Sequence, residues 1–193
     1  MKAFLSVLFF TTFVVNSTAQ RTKIIEDFES NTLGWTEILD NKGQAIISEG
    51  VMQIESKGDL YYSTAWTDLD PNVPFEITVD VKVRRLDGSR TFGIILDYLD
   101  NSQYILLLVK EGNARFIRKK GDYEGYISNS IKLEGGWKED VKLGVKFQMG
   151  KLIFEVNEIF ALEARYVEMT SSGVGLYVAG RQKIKFDNFT ITQ

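Results

Sequence analysis

Residues Thr91–Val109 read TFGIILDYLDNSQYILLLV. Two strongly β-prone runs are joined by Asp100-Asn101-Ser102, residues whose side chains hydrogen-bond readily to nearby backbone and so turn the chain. From Tyr104 to Val109 the pattern loses all alternation, as expected of a strand covered on both faces. This hairpin is expected at the centre of a sheet, with flanking strands added on each side.

Working outward, Phe75, Ile77, Val79, Val81 and Val83 alternate with Glu76, Thr78, Asp80, Lys82 and Arg84, the clean signature of a strand with one wet face. Asp87-Gly88-Ser89 turns that strand into the hairpin, and Glu111-Gly112-Asn113 closes the hairpin's far end before Ala114–Lys119. Upstream, Ile24–Glu29, a strand beginning at Trp35, Gln44–Ser48, Val51–Glu55 and Leu60–Trp66 read as strands, with Glu49-Gly50 as a tight turn. Pro71 and Pro74 mark a loop. Downstream, Gly121–Ser130 reads as a loop rich in Gly and Tyr. Val141–Phe147 and Leu152–Val156 alternate around Met149-Gly150-Lys151, and Asn157-Glu158 marks the next turn. Val174, Leu176 and Val178 alternate with very small residues, a face that something must approach closely. Ile184 and Phe186 are out of phase with Phe189 and Ile191, so a β-bulge is expected at Asp187-Asn188. The only weak helical stretch is Ala161–Met169. About a dozen short strands at regular spacing define an all-β, two-sheet antiparallel sandwich.

The N-terminus reads differently. Lys2 precedes Ala3–Val15, an apolar run too short to span a bilayer with ease, and small residues follow at Asn16–Ala19. A signal peptide over residues 1–19, cut after Ala19, is the expectation, with one domain over 20–193. No later run is long enough to cross a membrane as a helix. Export to the periplasm or the medium follows, with the core alone holding a fold that has no cysteine. Loss of Lys2 would move the net charge from −3 to −4. Both signs are interspersed, which excludes the basic stripe that nucleic acid requires and gives no support for an anionic membrane surface. The chain has no His and no Cys. That removes Ser-His-Asp and Cys-His catalysis, zinc on imidazole or thiolate, and haem held by either. Carboxylate, Lys, Tyr or Ser chemistry, hard cations such as calcium, or plain binding remain.

Phe92-Gly93-Ile94-Ile95 with Tyr98, Asp100-Asn101 and Tyr104 resembles the central hairpin of concanavalin A-like (laminin-G-like) jelly rolls. Gly136-Trp137 with the strand after it, Phe154-Glu155-Val156-Asn157, Gly175-Leu176-Tyr177-Val178 and Phe186-Asp187-Asn188-Phe189 are similar to that family's later strands. The resemblance covers most of Ile24–Thr192 and implies a curved jelly roll whose ligands lie on the concave face or along its rim. The family includes binding domains, lectins and glucanases, so it specifies the fold far better than the function.

Three kinds of site follow. The glucanase strand motif, two glutamates flanking an aspartate, is not matched by Phe75–Asp80. Moreover, Glu76 and Asp80 would stand about 13 Å apart at about 3.3 Å per residue, whereas glycosidase carboxylates lie about 5–9.5 Å apart. A cross-strand pair such as Asp80 with Asp97 stays open, the alternative being a solvated polar face. Sugar binding needs outward aromatic rings with hydrogen-bonding neighbours. Tyr61 and Tyr62 are consecutive, so one faces away from the core. Tyr98 and Tyr104 flank the central turn, and Asp122, Tyr123 and Tyr126 sit in the Gly-rich loop beside Glu124. Against this, tyrosines also pack at strand ends with only the hydroxyl wet. Trp35 and Trp137 read as core caps and Trp66 is undecided. Lastly, the resemblance extends to jelly-roll modules in which acids of the first and last strands share a structural calcium. It carries over to Glu29 and Asp187, with Glu26 as a substitute, unless Asp187 and Asn188 serve the bulge itself. The expectation is therefore a secreted module binding a polysaccharide or oligosaccharide without catalysis. A carboxylate-dependent glycoside hydrolase and a protein-binding sandwich are the alternatives. Oligomeric state is not legible.

Overall fold

The computed structural model describes residues 22–83, 91–133 and 140–193, and every regular element among them is a β-strand. In chain order these are β1 (Lys23–Glu26), β2 (Ile38–Asp40), β3 (Gly43–Ser48), β4 (Val51–Trp66), β5 (Phe75–Val83), β6 (Thr91–Asp100), β7 (Gln103–Lys110), β8 (Asn113–Lys120), β9 (Tyr123–Tyr126), β10 (Ile131–Lys132), β11 (Asp140–Gln148), β12 (Lys151–Val156), β13 (Ile159–Arg165) and β14 (Gly173–Thr192). The expected signal peptide, the Asp87-Gly88-Ser89 turn and Gly136-Trp137 lie outside the described residues.

Local chemistry explains the hairpins. Glu49-Gly50, Glu111-Gly112, Met149-Gly150 and Asn157-Glu158 each place two consecutive residues at positive φ. That is the backbone of the type I′ turn, whose twist matches the strands it joins. Each falls where the sequence places a turn.

Two long strands build the architecture. β4 and β14 pair with each other almost throughout, from Gly173 opposite Trp66 to Phe186 opposite Met52. Both bend part-way, β4 at Gly58 (φ 145°) and β14 at Gly180 (φ 82°), where the register shifts. The sheet thereby folds over on itself. One layer runs β8-β7-β6 to the first half of β14 and the second half of β4, with β9 and β10 on the far edge of β8. The other runs β13-β12-β11-β5 to the second half of β14, then to β1 and to the first half of β4, followed by β3 and β2. The centre of the molecule is thus β14, with the β6–β7 hairpin beside it in one layer.

The core fills the space between the layers. Phe92, Ile94, Leu96, Ile105, Leu107, Leu176 and Val178 from one side meet Ile77, Val79, Val81, Leu143, Val145, Ile184 and Phe186 from the other, all buried. Phe189 and Ile191 are buried as well, because a bulge between Asp187 and Thr190 restores the register against β5. Trp35 is buried against Phe28 and edge-on to Phe189 at 5.1 Å between ring centres, a core cap rather than the start of a strand.

Two expectations change. Ala161–Met169 contains strand β13, not a helix: Ala161 is an extra residue opposite the shift at Phe154/Glu155, so Ala161, Leu162 and Ala164 are all buried. A bulge breaks strict alternation into spacings that mimic a helix. The Gly121–Ser130 stretch is likewise not all loop, since β9 pairs with β8 from Ile117 opposite Tyr126 to Lys120 opposite Tyr123.

Candidate functional site

The outward face of the β4-β14-β6-β7-β8-β9 layer is built by strand parity. Tyr61, Ser63 and Ala65 point inward and are buried, so Tyr62, Thr64 and Trp66 point out. Cross-strand register then assembles three rows. Tyr62, Tyr177, Gly93, Leu108 and Arg115 form the first, and Thr64, Gly175, Ile95, Leu106, Ile117 and Tyr126 the second. The third has Trp66, Gly173 and Tyr98 on one side of the β6 irregularity and Tyr104, Lys119 and Glu124 on the other. Ile95, Leu106 and Leu108 make a small apolar floor, with Tyr62, Tyr98, Tyr104, Ile117 and Tyr177 packed around it.

The rings are held in place. Tyr98 lies 6.2 Å from Tyr62 and 6.5 Å from Trp66, centre to centre. The Tyr62 hydroxyl donates to Asn101 Oδ1 in the β6–β7 turn, and the Tyr98 hydroxyl reaches the same oxygen at 3.4 Å. Burial, then the nearby Tyr104 and Glu124, push the Tyr177 hydroxyl up to about 12. Tyr98 and Tyr104 are also raised, mainly by burial. These hydroxyls therefore stay protonated donors at neutral pH. Trp66 and Tyr126 remain 56% and 64% exposed, and Trp66 is free to take a sugar ring from solvent. The small-residue face of β14 is approached by its own neighbours. A Cβ at Gly175 would meet Ser63 O at 2.9 Å and Thr64 Cγ2 at 3.0 Å, and one at Gly93 would collide with the Leu107 carbonyl.

Arg115 borders the floor. Its guanidinium lies 4.8 Å from the centre of the Tyr126 ring. Its Nε is buried without a hydrogen-bond partner, and no carboxylate among the described residues pairs with it.

The opposite face, on the other layer, is charged. Lys146 bridges Glu155 at 2.7 Å and Glu76 at 3.7 Å, which raises the lysine's pKa through the Glu155 contact first. Asp80 stands opposite Asp187 across β5 and β14 and accepts from Asn188 Nδ2 at 2.9 Å. Beside them Lys82, Lys183 and Lys185 line a cleft of about 560 Å³.

The candidates divide accordingly. Tyr98, Tyr104 and Tyr126 share the aromatic face, joined by Tyr62, Trp66, Tyr177 and Arg115. Tyr62 and Trp66 were marked only by parity and an undecided tryptophan, and Tyr177 and Arg115 needed the register. Tyr123 alternates with Glu124 and Tyr126 on the edge strand and turns away from them, its hydroxyl near Gly125. Asp122 sits in the β8–β9 turn.

The Asp80–Asp97 pair is not assembled. β14 lies between β5 and β6, and the two carboxylates belong to different layers. Asp97 is buried and accepts from Thr170 N at 2.6 Å, Ser171 N at 2.7 Å and Thr170 Oγ1 at 3.2 Å, pinning the loop before β14. Glu26 plays the same part for the chain after β1, accepting from Phe28 N, Thr32 Oγ1 and Leu33 N. Of the residues expected at calcium, Glu29 lies against Gly50, and Asp187 accepts from Asn188 N within its own bulge at 2.7 Å. Among the described residues no three acidic side chains converge as a metal group.

No protein-family model and no curated protein sequence matches the chain. Solved structures do. A carbohydrate-binding module, CBM66, from Bacillus subtilis superposes with a TM-score of 0.66 at 14% identity over 84% of this chain and 98% of its own. A Bacillus subtilis protein of unknown function with a galectin-like fold gives 0.64 at 11% identity, covering 88% and 94%. The CBM2 module of the evolved Dit protein of Lactobacillus casei BL23 phage J-1 gives 0.62 at 11%, covering 90% and 96%. At such identities the likeness establishes the fold, a lectin-like jelly-roll β-sandwich. It does not single out the concanavalin A-like or laminin-G-like branch.

Proposed function

We propose that this chain is an exported, non-catalytic module that binds a polysaccharide or oligosaccharide on the Tyr62–Trp66–Tyr98–Tyr104–Tyr177 face. The observation that carries the reading is that face itself. Half-buried tyrosines and an exposed tryptophan surround an apolar floor, and their hydroxyls and Asn101 supply hydrogen-bonding groups at ring height. Sugar rings present apolar C–H faces edged by hydroxyls, which is the complement of such a surface. Similar solved structures include carbohydrate-binding modules, which supports the same reading, as it supports export. The finer placement we favour is the concanavalin A-like branch.

The hydrolase alternative has less behind it. The acids that converge, Glu76 and Glu155, are tied to Lys146 on the layer facing away from the aromatic floor. The protein-binding alternative draws on edge strand β13, where Ile159 and Phe160 are exposed.

The deciding experiment is affinity electrophoresis against a panel of soluble polysaccharides, with Trp66→Ala and Tyr98→Ala beside the parent. Removing one stacking ring should weaken binding about tenfold or more, since truncating an anchoring Trp or Tyr typically costs about 2 kcal/mol or more. Retention of full affinity by both variants, or no retardation by any glycan, would overturn the proposal.

A further inference from the structure

We infer that Arg115 makes the aromatic face selective for glycans bearing carboxylates, so that the ligand is a uronate-type acidic polysaccharide. The inference rests on the glycan-binding reading above and adds the charge class of the ligand.

Three observations converge on Arg115. Its Nε–H is buried and unpaired, in a fold where the buried carboxylates Glu26 and Asp97 are each satisfied threefold. That donor is sealed from solvent, so a ligand would meet the guanidinium through its Nη groups, which make no hydrogen bond among the described residues. The guanidinium is also pre-organised, lying over Tyr126 rather than free in solvent. Finally, Lys119 on the same strand is occupied by Glu124 at 3.8 Å, whereas no salt bridge joins Arg115 to an acid among the described residues.

The chemistry selects a carboxylate. The Nη1/Nη2 end of a guanidinium is planar and offers two parallel N–H donors, which match the two coplanar oxygens of a carboxylate. Arg115 also stands at the end of the row that begins with Tyr62 and Tyr177. Three strand spacings separate it from Tyr177, about 14 Å, and between them lie only Gly93 and Leu108. Gly93 admits no side chain, so the floor stays low there. A glycan stacked over Tyr177 and Tyr98 can therefore extend along the row and place an acid group on Arg115. Lys110, two residues past Leu108 and exposed, adds a solvated positive charge at that end.

The test uses the whole chain and three polymers: polygalacturonate, the same polymer with its carboxyls reduced to alcohols, and dextran sulfate, each at physiological salt. The parent should bind polygalacturonate at least about tenfold more tightly than the reduced polymer. Arg115→Gln and Arg115→Lys should both lose that preference. The lysine variant matters because it retains the charge and loses only the paired donors. Lys185→Ala, on the opposite layer, should change nothing, and melting curves establish that each variant is folded. Equal parental binding of acidic and reduced polymers, or an Arg115→Lys protein as selective as the parent, would overturn the inference and leave glycan binding standing. Dextran sulfate held as tightly as polygalacturonate would also overturn it, since it would reveal generic charge attraction. Failure of the parent to bind any of the polymers or the wider panel would remove the glycan reading itself, and the inference with it.

Discussion

At the scale of single residues, Asp97 teaches the most. It occupies positive φ (52°) inside β6 and spends its carboxylate on the Thr170–Ser171 loop. Asp and Asn tolerate that backbone better than most residues, which explains why an acid stands in an otherwise apolar run. Asp97→Ala should cost about 2–4 kcal/mol, because it strands three donors and puts alanine in left-handed backbone. Asp97→Asn, which keeps one acceptor and the backbone preference, should cost less. Urea denaturation measures both. Parity made one of Tyr61 and Tyr62 legible as an outward ring, and burial of Tyr61 settles that it is Tyr62. The role of Asp97 was not legible, for its partners lie more than seventy residues away and no local pattern announces them. Arg115 was hidden for a related reason. A cation in a β-strand looks solvated until the neighbours on its face are known.

At the scale of elements, the strands were readable wherever alternation was intact and misread wherever the backbone departed from it. β5 and β11 follow strict parity and match the expectation closely. β4 and β14 each read as two strands, because Gly58 and Gly180 interrupt the pattern, yet each is one continuous strand serving both layers. Gly180→Ala would force a Cβ into left-handed backbone and should destabilise by about 1–2 kcal/mol. Chemical denaturation is the check, and a neutral result would show that the bend can be made without positive φ at that position.

For the whole molecule, the two faces of the sandwich have separated by chemistry. One carries rings with hydroxyls kept neutral, and the other carries ion pairs. The tyrosines give this a pH signature. Tyr177 ionises near 12 in the folded chain against 10.0 ordinarily, with Tyr98 and Tyr104 shifted the same way. A raised value means that the fold favours the protonated phenol. The stabilisation is complete below pH 10 and is lost as pH climbs towards about 12, where the unfolded chain gains by ionising first. The melting midpoint should therefore fall across that window, and Tyr177→Phe should flatten the fall. Phenolate absorbance should show a late-titrating fraction that the same variant removes.

The position of β14 also makes both layers depend on one segment of the chain. Residues 173–192 are flanked by earlier strands on both sides and in both layers, so neither layer has its middle until they are available. β6 and β5 reach them only across long separations in sequence, the kind of pairing that forms slowly. A nascent chain still lacking this segment can form hairpins but not a closed core. A chain cut before residue 173 should therefore lack the strand that joins both layers, and circular dichroism should show it without the parent's cooperative melting.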